Sequence, residues 1–75
     1  MKLPSKAISY NESVLSKLPL LLGIIKKSDI QLKTLYLLTR KSFNDIEEYI
    51  DTLDCLYALK VIQLKEESGV LHYVA

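Results

Sequence analysis

The chain has 75 residues, of which 49% are hydrophobic, and a formal net charge of +1 at pH 7. A chain of this length forms one small domain, which buries only about 60% of the surface exposed by the unfolded chain. Cys55 and His72 are its single cysteine and single histidine, which excludes an intrachain disulfide and leaves no Cys/His cluster for a metal. We therefore expect no metal and no cofactor, and stability from an unusually apolar composition and from a partner.

The charged residues are divided along the chain. Residues 1–42 carry eight basic and two acidic residues, whereas residues 43–75 carry two basic and seven acidic residues. Charge separated in this way often becomes two oppositely charged faces of the folded domain. The division therefore bears on the choice of partner.

The most apolar stretch is the eight residues from Leu18 to Ile25. A membrane-spanning helix needs about 20. The N-terminus also lacks the continuous apolar core and small-residue cleavage site of a signal peptide, and a lone cysteine fits a reducing compartment. We expect a cytoplasmic protein that does not enter a membrane.

The first ten residues read as an extended N-terminal arm. Pro4 disfavours helical geometry at Leu3, and the apolar residues Leu3, Ile8 and Tyr10 lack helical spacing. The predicted division is an arm over residues 1–10 and a folded domain over residues 11–75.

A first helix is predicted over residues 11–27, capped by Asn11 or Ser9. Its apolar residues recur on one face. Pro19 removes a hydrogen bond within it and predicts a kink or a restart. The face comprises Val14, Leu15, Leu18, Leu21, Leu22 and Ile25.

After a short strand-like step at Ile30 and Leu32, a second helix is predicted over residues 33–41, with Leu32, Leu35, Tyr36 and Leu38 facing inward. Ser42 or Asn44 is predicted to cap a third helix over residues 44–59, whose apolar residues keep helical spacing while acidic residues occupy the opposite face. The inward set is Phe43, Ile46, Tyr49, Ile50, Leu53, Leu56 and Tyr57.

Beyond Leu59 the apolar period shortens to about two residues, which is typical of strands. Residues 61–65 and 70–74 flank a turn that ends in Gly69, so they predict an antiparallel hairpin. The fold class is α+β, mostly α. Three helices followed by a two-stranded wing predict a winged helix-turn-helix.

DNA binding is the first function to weigh for a winged helix. The third helix supplies five acidic residues and no base, and Glu47, Asp51 and Asp54 share its exposed face. Glu66 and Glu67 make the wing turn acidic as well. Because DNA affinity rests on Lys and Arg contacts to phosphate, we expect no direct sequence-specific nucleic-acid binding, although a DNA-binding transcriptional regulator stays the alternative.

Catalysis is not expected. A Cys55–His72 pair is the one conceivable nucleophile and base, yet no third orienting group is identifiable. No phosphate loop or dinucleotide-binding motif occurs. Acidic residues of the third helix follow a face rather than converge on one point.

Surplus apolar surface points instead to a protein partner. Leu20 and Ile24 project away from the core face of the first helix, and an exposed apolar patch on so small a domain marks an interface. Either the arm covers them through Leu3 and Ile8, or the arm adds a strand to another protein or to a second copy in a homodimer. Another predicted contact face, for a basic partner, is formed by Glu47, Asp51 and Asp54.

Five stretches of the sequence form a recognisable pattern: Lys2-Leu3-Pro4, residues 10–13, Leu35-Tyr36, residues 50–62 and residues 69–74. This pattern resembles the small middle components of bacterial ABC-three-component systems, including those of the Lamassu type. Lys60 departs from the pattern, because such sequences often carry glycine there to end the third helix. A non-glycine residue in a left-handed cap costs on the order of 1 kcal/mol, or the helix ends differently.

The resemblance implies an adaptor without catalytic activity in an anti-phage defence complex. Its expected partners are an SMC-like ABC ATPase and an effector protein. This expectation agrees with three features read from the residues: no active site, no basic recognition helix and surplus apolar surface.

Overall fold

A computed structural model describes the backbone of residues 3–74 and the side chains of residues 9–74. In chain order the elements are α1 (Leu3–Ser16), α2 (Leu18–Lys27), β1 (Ile30–Gln31), α3 (Leu32–Thr39), a 3-10 turn (Arg40–Ser42), α4 (Ile46–Ala58), β2 (Ile62–Lys65) and β3 (Val70–Tyr73). The α+β, mostly helical class is confirmed. The winged-helix assignment stays a prediction.

The N-terminal segment is helical, so the prediction of an extended arm was wrong. Helix α1 runs without interruption across residues 10 and 11, where the arm was expected to meet the domain. Pro4 is the second residue of this helix. Proline is tolerated in a first turn because the backbone N–H that it lacks has no helical partner there.

Pro19 divides the predicted first helix in two, which confirms the expected restart. Helix α1 ends at Ser16, and α2 begins at Leu18 with Pro19 in its first turn. Lys17 joins them in near-helical geometry (φ −95°, ψ −5°), and its backbone N–H donates to the carbonyl of Val14 at 3.1 Å.

Only part of the apolar surface of α3 faces the core. Leu35 is fully buried, but Leu38, which was predicted to face inward, is 66% exposed. Leu37 is 57% exposed as well, so the core covers only the side of the helix that carries Leu35 and Thr39. Thr39 closes its last turn by donating its hydroxyl to the carbonyl of Leu35 at 2.8 Å.

Asp45 caps α4, in place of the predicted Ser42 or Asn44. Its side chain accepts a hydrogen bond from the backbone N–H of Glu48 at 2.9 Å, which satisfies one of the free donors of the first turn. Ile46 and Ile50 were predicted to face the core but are 51% and 47% exposed. The neighbouring elements leave this edge of α4 open.

Helix α4 ends in a left-handed residue, as one of the two alternatives at Lys60 required. Lys60 has φ 62°. Its N–H donates to the carbonyl of Tyr57 at 2.9 Å, and the N–H of Val61 reaches back to Leu56 at 3.3 Å. This pair of bonds is a Schellman motif, in which glycine usually occupies the left-handed position.

The hairpin of β2 and β3 is confirmed, and β1 extends it to three strands where two were predicted. The strand order is β1-β3-β2, and both pairings are antiparallel. Gly69, with φ 69°, forms the turn before β3, a geometry that glycine adopts without steric cost. Leu71 of the central strand is fully buried.

The core lies between the helices and one face of this sheet. It joins residues from α2, α3, α4, β2 and β3, and its buried members are Leu21, Ile25, Leu35, Phe43, Tyr49, Leu53, Leu56, Ile62 and Leu71. None of the helices within residues 3–74 is long and apolar enough to cross a membrane.

Candidate protein interface

Helix α4 has a core side, a side that faces α1 and a side that carries Ile46 and Ile50. Tyr49, Leu53 and Leu56 face the core and are almost fully buried. Glu48 lies toward α1, about 160° to 200° around the helix axis from Ile46 and Ile50. The α1 side and the side that carries Ile46 and Ile50 are therefore nearly opposite.

An apolar groove lies between α3, α4 and β2, with a volume of about 520 Å³. Ile46, Ile50 and Tyr57 line it from α4, following one another at helical spacing. The remaining lining residues are Leu32, Lys33, Tyr36, Tyr49, Leu53, Asp54 and Leu64. Only Lys33 and Asp54 among the lining residues carry charge, so the groove favours an apolar occupant.

Tyr49 holds the floor of the groove in place. Its hydroxyl donates to the backbone carbonyl of Leu32 at 2.7 Å, and its ring packs against Tyr36 with centroids 4.9 Å apart and against Phe43 at 5.5 Å. Burial raises the pKa of Tyr49, so the hydroxyl keeps its proton and stays a donor. The bond ties α4 to the start of α3.

Glu47, Asp51 and Asp54, called here the acidic stripe, are all exposed on α4. Asp54 reaches the rim of the groove. Asp51 accepts a hydrogen bond from the hydroxyl of Tyr10 on α1, which raises the pKa of Tyr10 to about 12. The stripe therefore borders both the groove and α1, and its role in binding stays a prediction.

Glu48 is the acidic residue whose environment the sequence pattern did not reveal. Its side chain has no exposed surface, and Lys17 pairs with it at 3.1 Å. Ser13 donates its hydroxyl at 2.7 Å, and the backbone N–H of Asn44 donates at 2.9 Å. The Ser13 hydrogen bond is the main cause of the lowered pKa of Glu48, with Asn44 and Lys17 also contributing.

The spacing of Asp45 and Glu48 could have identified this role. An N-cap residue followed three positions later by glutamate is the pattern of a capping box, in which the glutamate turns back to the start of its helix. Here Glu48 accepts from the N–H of Asn44, one residue before the cap.

The interface residues predicted on the first helix divide in their burial. Leu20 on α2 is 37% exposed, whereas Ile24 is half-buried and packs against the core. Leu15 on α1, expected on the core face, is 57% exposed. Leu20 and Leu15 therefore offer more apolar surface than Ile24. The side chains of Leu3 and Ile8 lie outside the described part of the chain.

Cys55 and His72 occupy different elements. Cys55 is half-buried on α4. His72 lies on β3, where its Nδ1 is 2.8 Å from a carboxylate oxygen of Asp29. That hydrogen bond is the main cause of the lowered pKa of Asp29. His72 thus has a structural partner in the loop before β1.

Comparison with known proteins gives one family. A model of the family described as ABC-three component (ABC-3C) system Middle Component 7 matches residues 3–71. No curated protein and no solved structure matches the chain. The match covers the helices, the groove and most of the hairpin. The chain therefore belongs to the Middle Component 7 family of ABC-three-component systems.

Proposed function

We propose that this chain is a non-catalytic adaptor that docks on an SMC-like ABC ATPase and its effector in a bacterial anti-phage defence complex. Membership of a multi-component system supports the need for protein partners. The observation that carries the proposal is the exposed part of α4, which combines the apolar side chains of Ile46 and Ile50 with the acidic stripe and contains no base. Such a surface suits a protein better than a nucleic acid.

Two separate apolar surfaces support a bridging role. The groove lies on one side of α4. Leu15 and Leu20 are exposed on α1 and α2, and α1 packs against the other side of α4 through Glu48. An adaptor that joins two proteins needs two surfaces that can be occupied at the same time.

DNA recognition by α4 is the competing function. In a DNA-reading winged helix this helix would enter the major groove, where the acidic stripe would approach phosphates of the same charge. Glu66 and Glu67 are exposed at the turn of the hairpin and would repel the backbone too. Electrostatic attraction to phosphate supplies essentially all non-specific DNA affinity. Helix α4 carries no basic residue that could provide this attraction.

Reconstitution tests the adaptor role. The chain is co-expressed with an ABC ATPase and an effector of an ABC-three-component system from the same source, and one component is tagged for purification. We expect the three to purify together, and we expect omission of the chain to separate the ATPase from the effector. If the ATPase and effector associate equally well without it, the bridging function is wrong.

A second measurement addresses DNA directly. Fluorescence anisotropy with labelled duplex DNA at physiological salt should give no more than the non-specific range, a Kd of about 10⁻⁴ to 10⁻⁶ M. Sequence-specific binding in the nanomolar range would contradict the proposal and favour the transcriptional regulator.

A further inference from the structure

We infer that the groove between α3 and α4 binds an amphipathic helical segment of a protein partner, with apolar residues on one face and Lys or Arg along the flank next to the acidic stripe. This inference deepens the proposed function and rests on it. It specifies the chemistry of the segment that one of the partners presents.

The dimensions of the groove fit a helix of about three turns. Ile46, Ile50 and Tyr57 line it along α4, and the eleven helical rises from Ile46 to Tyr57 span about 16 Å. An amphipathic helix presents apolar side chains at positions i, i+3 or i+4, and i+7, which is the usual way for a helix to occupy such a groove. A segment of this length would cover both exposed isoleucines.

Negative charge lies along the α4 edge of the groove and not along the α3 edge. This difference determines which charged residues the bound helix should carry on the flank next to α4. Asp54 lies at the α4 wall of the groove and Lys33 on the α3 side. Glu47 and Asp51 continue the negative edge along α4, which carries no basic residue from Ile46 to Ala58. Basic residues on one flank of the bound helix would be attracted to this edge. Complementary charge of this kind sets orientation and selects partners.

The floor of the groove is held in place by packing and by a hydrogen bond. Tyr49 is only 2% exposed and Leu53 only 3%, and the Tyr49 hydroxyl is bound to the Leu32 carbonyl. No buried polar side-chain atom within residues 9–74 lacks a hydrogen-bond partner, so the floor holds no unsatisfied polar group. A rigid apolar floor lowers the cost of ordering on binding.

Two synthetic peptides test the inference on the full chain. Both have the same leucine face and a length of about three turns, and they differ only in carrying either Lys or Glu along one flank. Binding is measured by fluorescence anisotropy and located by NMR on the isotope-labelled chain. We expect the Lys peptide to shift the amides of the groove residues, and the Glu peptide to bind at least about tenfold more weakly.

Variants then separate the contribution of the exposed isoleucines from that of the acidic stripe. Replacing Ile46→Ser together with Ile50→Ser should weaken the Lys peptide by about tenfold or more, while the equally exposed control Leu15→Ser should leave its affinity unchanged. Changing Glu47→Lys, Asp51→Lys and Asp54→Lys together should reverse the preference in favour of the Glu peptide. Unfolding curves of each variant confirm that it is folded.

Three results would overturn the inference. The first is equal affinity for the two peptides, and the second is a set of NMR shifts confined to α1 and α2. The third is a concentration-dependent shift of the groove amides without peptide, which would make a second copy of the chain the occupant.

Reconstitution keeps the two proposals apart. If the Ile46→Ser, Ile50→Ser variant still joins the ATPase to the effector as well as the wild type does, the groove inference fails and the adaptor role stands. If wild-type chain binds the Lys peptide in the groove but never bridges the two components, the adaptor role fails alone.

Discussion

The two sides of α4 are covered in different ways. On the α1 side a carboxylate with no exposed surface is paired with Lys17 and Ser13, whereas on the groove side Ile46 and Ile50 are about half exposed. A buried charge tolerates only the partners that satisfy it, because leaving it unpaired is costly. Exposed apolar side chains accept any complementary surface. The first arrangement therefore fixes how the chain folds, and the second leaves surface for another molecule.

The largest effect on the free energy of unfolding is expected from a substitution on the α1 side of α4. Changing Glu48→Ala would leave the Ser13 hydroxyl and the Asn44 N–H without their acceptor, and Lys17 without its ion-pair partner, although Lys17 still donates to Ser13 Oγ at 2.9 Å. The expected cost is about 2–3 kcal/mol in the free energy of unfolding. The control Glu47→Ala, at the exposed neighbouring position, should change it by less than about 0.5 kcal/mol. Urea denaturation measures both. Equal losses would show that the contrast between the two sides is wrong.

Acid should selectively reduce the stability that the α1 side of α4 contributes through Glu48. The pKa of Glu48 is lowered from its ordinary value near 4.5, so its contribution to stability is present above about pH 4.5 and is lost as the pH falls through the folded-state pKa. Glu48→Gln should therefore show a shallower loss of unfolding free energy below pH 4.5 than wild type. Urea denaturation across this pH range measures the slopes.

The pKa of Asp29 is also lowered from its ordinary value, mainly by its hydrogen bond with His72. The Asp29→Asn variant is therefore the matched control. If Glu48→Gln follows the wild-type slope and only Asp29→Asn differs, the acid sensitivity belongs to the His72 contact and not to the α1 side.

A change at the end of α4 should affect neither side in particular. Replacing Lys60→Gly relieves the left-handed backbone (φ 62°), and the gain is partly offset by the greater freedom of glycine in the unfolded chain. We expect an increase of about 0.5–1 kcal/mol in the free energy of unfolding. Lys60→Ala keeps the steric cost and should give no increase. Thermal or urea unfolding distinguishes them.

The smallest effect on stability is expected in the groove. Ile50 is 47% exposed, so Ile50→Ser should lower the free energy of unfolding by only about 0.5 kcal/mol, although it weakens binding of the Lys peptide. A loss above about 1.5 kcal/mol would mean that Ile50 is part of the core. The groove would then be structural.

The element types were predictable because each follows from local spacing. Period and turn residues gave the hairpin, and Pro19 marked the restart between α1 and α2. Position within the tertiary structure was less accessible. Ile46 and Leu38 fit helical core patterns, yet both are exposed, because a periodic pattern does not show how far the neighbouring elements extend.

The candidate site shows the same limit. Glu47, Asp51 and Asp54 could be placed on one exposed face from their spacing alone. The groove beside them depends on the angle at which α3 and β2 meet α4, which is a long-range property. The spacing of Asp45 and Glu48 indicates that Glu48 turns toward the start of α4, but its burial depends on Ser13 and Lys17, which are 35 and 31 residues away in the chain.

Leu32 lies where the groove and the hairpin turn meet. Its N–H donates to the carbonyl of Gly69 at 2.8 Å, and its carbonyl accepts from Tyr49, while its side chain lines the groove. Amide hydrogen exchange at this residue requires the turn to separate from α3. A helix that seats in the groove would slow that exchange without touching the turn, so the Leu32 amide is a built-in reporter of occupancy.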